Sequence, residues 1–132
     1  MDNGELIDRQ SVFDGRVVKL SVDKVRLPNG NVVELEMIRH QGAAAVVPVD
    51  AERNVLLVRQ YRHAAGGWLW ELPAGKLEPN EAPLLTAQRE LQEEAGVTAN
   101  QWSKLGETLT TPGFCDEVIH LYLARDLATA EQ

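Results

Sequence analysis

Residues 75–97 read GKLEPNEAPLLTAQRELQEEAGV, and this stretch decides what kind of fold the chain adopts. Its second half predicts a helix over residues 82–95, because proline is tolerated in a first helical turn and Gly96 ends a helix at low cost in the left-handed conformation. At 100° per residue, four apolar side chains fall within an arc of roughly 80°. These are Leu84, Ala87, Leu91 and Ala95. The helix is therefore expected to pack this stripe against a sheet.

Three glutamates, Glu90, Glu93 and Glu94, lie beside the apolar stripe with i, i+3 and i+4 spacing. Like charges at this spacing destabilise a helix, and the negative end of the helix dipole disfavours anions near the C-terminus. Oxygen-rich sets of this kind suit Mg²⁺, so a divalent cation accounts for the arrangement. A solvated acidic face accounts for it as well, and the three glutamates alone leave both interpretations open.

The remainder of the chain predicts mainly β-structure. A Pro-Asn-Gly-Asn turn at residues 28–31 joins two alternating segments, and a continuous apolar run suits a strand that is buried on both faces. Residues 64–67 and 110–114 are expected to be loops. The predicted strands cover residues 16–27, 32–38, 43–49, 102–109 and 118–124, with a further strand beginning over residues 55–58.

Composition restricts the classes of function. The net charge of −7 disfavours broad binding to nucleic acid, whose phosphates require a basic surface. No apolar run approaches the ~20 residues of a membrane helix, and the N-terminus lacks the pattern of a secretory signal. Cys115 is the single cysteine, which excludes an intrachain disulfide, and we expect it to be a small packed side chain. We expect a cytoplasmic protein without nucleic-acid or membrane partners.

The motif in residues 75–97 resembles the complete Nudix box: Gly, five residues, Glu, seven residues, Arg-Glu, an aliphatic residue, any residue, Glu-Glu, any residue, Gly and an aliphatic residue. The resemblance implies an α+β fold of the α/β/α sandwich-like Nudix type, with a mixed β-sheet, a loop–helix–loop and an N-terminal β-hairpin. It implies one domain over residues 1–132. Residues 1–40 are expected to be an N-terminal β region, and residues 41–132 a core that is short of the family's C-terminal strand and helix.

The same resemblance implies roles for residues in the box. Gly75 and Gly96 are expected to serve backbone geometry, Glu81 to be structural, and Arg89 to form ion pairs within the catalytic set. The ligands of Mg²⁺, or of Mn²⁺, are expected to be Glu90, Glu94 and the main-chain oxygen of Ala74, with Glu93 as a third carboxylate ligand or as a partner of Arg89.

Three further segments, residues 59–62, 70–75 and 111–117, resemble the ADP-ribose pyrophosphatase group within the family. The residues that this likeness places against a substrate are Arg59, Arg62, Glu71, Gly113 and Phe114. Taken alone, the two arginines fit solvated strand ends as well as a diphosphate site, and Glu71 fits a strand cap as well as a ribose contact. The aromatic residues Tyr61, Trp68 and Trp70 are expected to be packing residues.

The resemblance implies metal-dependent hydrolysis of a nucleoside diphosphate linked to another group, with ADP-ribose as the leading substrate and AMP and ribose 5-phosphate as products. The expected partners are this small-molecule nucleotide and a second copy of the chain, with the N-terminal hairpin as the dimerising element. The general base of the group usually follows the strand that matches residues 118–124. The candidates here are Glu93, Glu117 and Glu131. Alternatives are a nucleotide sugar such as GDP-mannose, a nucleoside triphosphate, or a non-catalytic nucleotide sensor.

Overall fold

The computed structural model describes residues 3–131. One α-helix, α1 (Pro83–Ala95), and a 3₁₀ turn (His63–Ala65) accompany the strands. The strands are β1 (Glu5–Asp14), β2 (Lys19–Arg26), β3 (Val32–Arg39), β4 (Ala43–Pro48), β5 (Val58–Arg62), β6 (Gly67–Glu71), β7 (Ala74–Lys76), β8 (Val97–Leu109) and β9 (Val118–Thr129). The chain divides into two compact units: the described part of Met1–His40 with Leu109–Val118, and Gln41–Thr108 with the described part of Ile119–Gln132.

The first unit contains an antiparallel sheet with the strand order β1-β2-β3. The predicted hairpin joins β2 and β3, and its turn is closed by Leu27 N–H, which donates to the carbonyl of Asn31 at 2.7 Å. Gly30 alone in this turn has a positive φ, at 90°, so the turn is longer than a two-residue Asn-Gly hairpin. Strand β1 was not predicted, because all ten of its residues are exposed and it has no buried face to impose alternation.

The second unit is built on a mixed sheet with the order β7-β4-β9-β8. Strand β4 is antiparallel to β7 and parallel to β9, so it is central and nearly all buried, as its apolar run predicts. Helix α1 covers one face of this sheet. The buried cluster between them contains Ala44, Val46, Ala87, Leu91, Tyr122 and Ala124, with Leu84 and Ala95 packed against it. The predicted apolar stripe is therefore confirmed, and burial of a side chain such as Leu91 contributes about 2–3 kcal/mol.

Helix α1 begins and ends as its sequence predicts. Pro83 is its first residue, and Gly96 follows its last residue with φ of 67° and donates its N–H to the carbonyl of Gln92 at 3.0 Å. The last turn of α1 contains no basic residue, so nothing in that turn offsets the charges of its glutamates. No helix among residues 3–131 has the length and apolar character needed to cross a membrane.

The prediction of a strand from Val55 was wrong by three residues. Val55 forms an isolated bridge with Val49, and the strand begins only at Val58. Strand β5 then pairs with β6 in a separate two-stranded sheet rather than with the mixed sheet. The apolar run had indicated a strand, but its first residues are exposed and so fill no buried sheet position. Strand β8 begins directly after Gly96, earlier than the predicted residue 102.

Candidate active site

The site begins with Glu90, which lies on α1 against strand β7. A Cβ atom added at Gly75 would overlap with the carboxyl group of Glu90, so the carboxyl group occupies the space that a side chain would fill. Gly75 has no positive φ, unlike Gly96. The glycine is therefore required by close approach rather than by backbone conformation, which corrects the expected role of Gly75.

Glu94 lies one helical turn beyond Glu90 and is partly buried. Burial raises the pKa of the Glu94 carboxyl group, and the neighbouring Glu90 raises it further, while donation by the main-chain N–H of Ala74 lowers it. Gln60 of β5 also donates to Glu94, at 3.4 Å. Two carboxyl groups thus lie side by side on α1 in surroundings that disfavour a second negative charge.

Arg89 compensates the charge of the other glutamates in the box. Its guanidinium donates to Glu81 at 2.9 and 3.0 Å, to Glu90 at 2.8 Å and to Glu93 at 3.3 Å. Thr86, which is fully buried, donates its hydroxyl to Glu81 at 2.6 Å. Donation by Arg89 and then by Thr86 lowers the pKa of Glu81 to about 2. Glu81 therefore orients the Arg89 guanidinium, which in turn donates to Glu90 and Glu93.

Two of the three candidates for the general base lie in the second unit, and Glu93 shares the Arg89 Nη1 donor with Glu90. Glu93 is 55% exposed and contacts Arg89. The main-chain oxygen of Glu131 accepts a hydrogen bond from Gln92, which lies about 200° around the helix from both Glu90 and Glu94. Within residues 3–131, no three His, Cys, Asp or Glu side chains form a group that would hold a metal ion.

The hairpin of β5 and β6 places polar side chains on the face that reaches Glu94. Arg62 donates to Glu71 through two hydrogen bonds of 2.6 and 2.7 Å, and this pairing lowers the pKa of Glu71 and raises that of Arg62. Gln60 projects from the same face of β5, since alternate residues of a strand share a face. Arg59 projects from the opposite face, so the structure does not bring the two predicted arginines together.

The aromatic residues of this hairpin are not packed in the core, contrary to expectation. Tyr61, Trp68 and Trp70 are 56%, 60% and 67% exposed. The Arg59 guanidinium carbon lies 5.3 Å from the ring centre of Trp68 and 5.7 Å from that of Trp70. These residues share one strand face, because Arg59 is in register with Trp70 and Tyr61 with Trp68.

The remaining candidates lie in the first unit. Phe114 is exposed at a turn in which its N–H and that of Cys115 both donate to the carbonyl of Thr111. A Cβ atom added at the neighbouring Gly113 would meet open space. Glu117 accepts a hydrogen bond from the Thr110 hydroxyl at 2.8 Å and lies 3.3 Å from His40 Nε2. Cys115 is partly buried, as a small packed side chain would be.

Sequence reasoning missed two residues that position this site. Gln60 was quoted as part of the segment 59–62 but was given no role, and its even spacing from Arg62 was the signal that both share a face. Thr86 is a fully buried polar residue beside the apolar stripe, and no local pattern reveals that its hydroxyl holds Glu81.

The donor set fits a divalent cation of the Mg²⁺ type. The Gly75 space lets the Glu90 carboxyl group approach the main chain of β7, where the Ala74 amide reaches Glu94. Carboxylate and main-chain oxygens are the ligands that Mg²⁺ and Mn²⁺ prefer. A bound cation would also relieve the repulsion between the two adjacent carboxyl groups.

Comparison with known protein families gives one match over most of the chain. The family model described as NUDIX domain matches residues 39–132. A crystal structure of an ADP compounds hydrolase superposes with a TM-score of 0.83 over 100% of this chain and 72% of that chain, at 22% identity. A likeness at this identity concerns the fold, and it confirms the predicted mixed sheet with a helix of the Nudix type.

Curated relatives are similar over nearly the whole chain. The methanol dehydrogenase activator of Bacillus methanolicus is 47% identical over 125 residues, which are 95% of this chain and 68% of that protein. The ADP-ribose pyrophosphatase of Bacillus subtilis is 42% identical over 96% of this chain and 68% of its own length. That of Mycobacterium tuberculosis is 45% identical over 93% of this chain and 60% of its own length. The chain spans 60–68% of the length of these relatives.

Proposed function

The chain belongs to the NUDIX domain family and is a Nudix hydrolase, and from this premise we propose that it cleaves the pyrophosphate bond of ADP-ribose to AMP and ribose 5-phosphate. The observation that carries the proposal is a pair of carboxyl groups within an intact box: Glu90 fills the space at Gly75, and Glu94 accepts from the main-chain N–H of Ala74. Two relatives named ADP-ribose pyrophosphatase support the choice of substrate.

The proposed metal is Mg²⁺, with Mn²⁺ as a substitute. Glu90, Glu94 and the main-chain oxygen of Ala74 would hold it, and Glu93 would join them after leaving Arg89. The cation would supply charge neutralisation on the diphosphate and a more acidic bound water. Arg89 donates to the Glu90 carboxyl group at 2.8 Å and so holds it in place, and its role in this proposal is positioning rather than chemistry.

Arg62 is the proposed contact for the diphosphate. It shares a hairpin face with Gln60, which reaches Glu94, and Glu71 holds its guanidinium in one orientation. A planar guanidinium of this kind matches phosphate oxygens through paired hydrogen bonds. Arg59 is not assigned to the diphosphate, because it projects from the other strand face. Gly113 and Phe114 are proposed as substrate contacts from the resemblance to the ADP-ribose pyrophosphatase group alone.

The reaction requires a base that takes a proton from the attacking water while the P–O bond to the leaving phosphate breaks. Glu117 and Glu93 are the proposed alternatives. Glu93 must first release Arg89, whereas Glu117 is held by Thr110 and contacts His40. A Glu117→Gln variant that loses turnover but keeps its affinity for the nucleotide would favour Glu117.

A substrate panel tests the proposal. The protein is incubated with Mg²⁺ and, separately, ADP-ribose, GDP-mannose, a diadenosine polyphosphate and dGTP, and the products are identified by mass. We expect AMP and ribose 5-phosphate from ADP-ribose at the highest kcat/KM, and no product after chelation of the metal. Faster cleavage of GDP-mannose would transfer the assignment to nucleotide sugars. Binding of ADP-ribose without cleavage would instead indicate a regulator, a class to which the relative named methanol dehydrogenase activator draws attention.

The proposed setting of this activity is the cytoplasm, where the protein acts as a homodimer on a small-molecule nucleotide and has neither nucleic-acid nor membrane partners. The net charge of −7 supports the lack of affinity for nucleic acid.

A further inference from the structure

His40 follows strand β3 and contacts two consecutive acidic residues of the segment 110–117. Its main-chain N–H donates to the carboxyl group of Asp116 at 2.7 Å. Its imidazole Nε2 lies 3.3 Å from Oε2 of the Glu117 carboxyl group. The side chains of His40 and Glu117 are only 18% and 24% exposed, so this contact is largely shielded from water. One residue therefore contacts both acidic neighbours, the first through its main chain and the second through its ring.

The main chain of the segment 110–117 is held by hydrogen bonds that do not involve the imidazole. The N–H of Asp116 donates to the carbonyl of Ile38 at 3.2 Å, next to the end of β3. The N–H of Thr110 donates to the carbonyl of Glu117 at 3.3 Å. The His40 ring is thus not needed to place the main chain of Glu117. Its contact instead governs the direction of the carboxyl group.

The Glu117 carboxyl group is contacted on both oxygens by groups without a permanent charge. The Thr110 hydroxyl donates to Oε1 at 2.8 Å, and the His40 imidazole contacts Oε2. Within residues 3–131, no Lys or Arg nitrogen lies within 4.0 Å of this carboxyl group. A carboxylate beside a fixed cation is stabilised in its charged form and accepts a proton less readily. A hydroxyl and an imidazole therefore suit a carboxylate that takes up a proton.

Glu93, the other proposed base, has the opposite surroundings. Its side chain is 55% exposed and accepts a hydrogen bond from the Arg89 guanidinium at 3.3 Å. Because a guanidinium stays charged in proteins, Glu93 must separate from Arg89 before it takes up a proton readily. In enzymes that use a base, a third group commonly orients it. Of the two candidates, Glu117 is the one with an orienting group that leaves it able to accept a proton.

We propose that Glu117 is the base and that His40 is its positioning residue. The inference rests on the hydrolysis proposed above and chooses between the two bases named there. Glu117 would take one proton from the attacking water, the water oxygen would bond to phosphorus, and the electron pair of the broken P–O bond would leave with the other phosphate group. His40 makes and breaks no bond in this step. With a hydrogen on Nε2, its imidazole donates to the carboxyl group and fixes its direction.

Steady-state kinetics of the full chain on ADP-ribose with Mg²⁺ test the proposal. The test variant is His40→Ala, and the control is His63→Ala, which removes an exposed histidine from the 3₁₀ turn. General-base catalysis contributes roughly 100–10,000-fold, so loss of the orienting imidazole should lower kcat by about 10–100-fold and change KM by less than ~3-fold. The control should stay within ~3-fold in both constants. His40→Gln keeps an N–H donor at a similar reach and should recover most of the lost kcat.

A double variant separates the positioning role from a purely structural one. Because His40 acts through Glu117, His40→Ala combined with Glu117→Gln should be no slower than Glu117→Gln alone. Calorimetry of ADP-ribose binding in the absence of Mg²⁺, which prevents turnover, should give the same affinity for the wild type and for His40→Ala. Thermal melts check that each variant is folded.

Three results with an active wild type would overturn the inference. They are full activity of His40→Ala, a rise in KM with unchanged kcat, and losses of kcat that multiply in the double variant. Each leaves the proposed activity standing, so the two failures are distinguished. If the wild type cleaves GDP-mannose rather than ADP-ribose, the substrate assignment fails, whereas the same loss of kcat in His40→Ala would uphold the inference. A wild type that cleaves no substrate of the panel would overturn both proposals.

Discussion

Two arginines meet carboxylates near α1, and they do so in opposite ways. Arg89 contacts Glu81, Glu90 and Glu93, all within the box, whereas Arg62 contacts Glu71 across the separate two-stranded sheet of β5 and β6. The difference leaves the glutamates unequal. Glu90 accepts a hydrogen bond from Arg89, whereas Glu94 accepts hydrogen bonds from Gln60 and from the main-chain N–H of Ala74, and burial raises the pKa of Glu94. The last turn of α1 contains no basic residue, and the proposed divalent cation would bind at this end of the helix.

The largest expected effect on activity comes from replacing Glu94, the member of the Glu90–Glu94 pair whose pKa is raised by burial. Replacing even an outer partner of a metal ligand costs roughly 10–100-fold, so Glu94→Gln should lower kcat on ADP-ribose by about 1,000-fold or more with the fold intact. The matched control is Glu78→Gln, an exposed glutamate at the margin of the Arg89 network, which should stay within ~3-fold. Initial rates with saturating Mg²⁺ measure both variants, and near-wild-type turnover of Glu94→Gln would remove Glu94 from the metal site.

A substitution at Gly75 tests the position of the Glu90 carboxyl group by steric overlap, without changing a charge. Gly75→Ala places a methyl group where the Glu90 carboxyl group lies, so the carboxyl group must shift, and activity should fall by roughly 10–100-fold. Gly67→Ala is the control, because a Cβ atom there meets nothing within 4 Å and its φ is not positive. Steady-state rates and thermal melts of both variants are compared. Equal activities would show that Glu90 does not need its present position.

The dependence of stability on pH tests the ion pair between Glu81 and Arg89. The pKa of Glu81 is about 2 in the folded protein, below the ~4.3 of an unfolded glutamate. Its stabilising contribution is therefore complete above the unfolded value and is lost as the pH falls towards 2. Glu81→Gln should melt several degrees below the wild type at pH 7, and the gap should narrow below about pH 4. Melting curves at several pH values measure it, and an unchanged gap in acid would contradict the role of Glu81.

The smallest effect is expected on the Arg62 side. Arg62→Lys keeps the charge but loses the paired hydrogen bonds to Glu71, so KM for ADP-ribose should rise roughly 3–10-fold while kcat changes little. Arg125→Lys, an exposed arginine on β9, is the control. A fall in kcat with unchanged KM would mean that Arg62 acts on the transition state rather than in binding.

How much of the site followed from the sequence depends on how local each contact is. Arg89 and Glu81 are only eight residues apart in the sequence, within one loop and helix. The helix and its buried apolar stripe follow from residue spacing alone. Gly75 was predicted to serve backbone geometry, but its close approach to the Glu90 side chain was not predicted. Gln60 beside Glu94 joins residues 34 positions apart, which no local pattern specifies.

The sequence by itself determined the Nudix family, the enzyme class and the α1 stripe, because helical periodicity and a motif of 23 residues are properties of one continuous segment. Only the tertiary structure decided that Glu94 lies beside Gln60 and that Arg59 turns away from Arg62. It also decided that Trp68 and Trp70 lie outside the core. The physical reason is that strand pairing brings together segments that are distant in the sequence. In addition, a shift of the pairing register by one residue moves each side chain to the opposite face of the sheet.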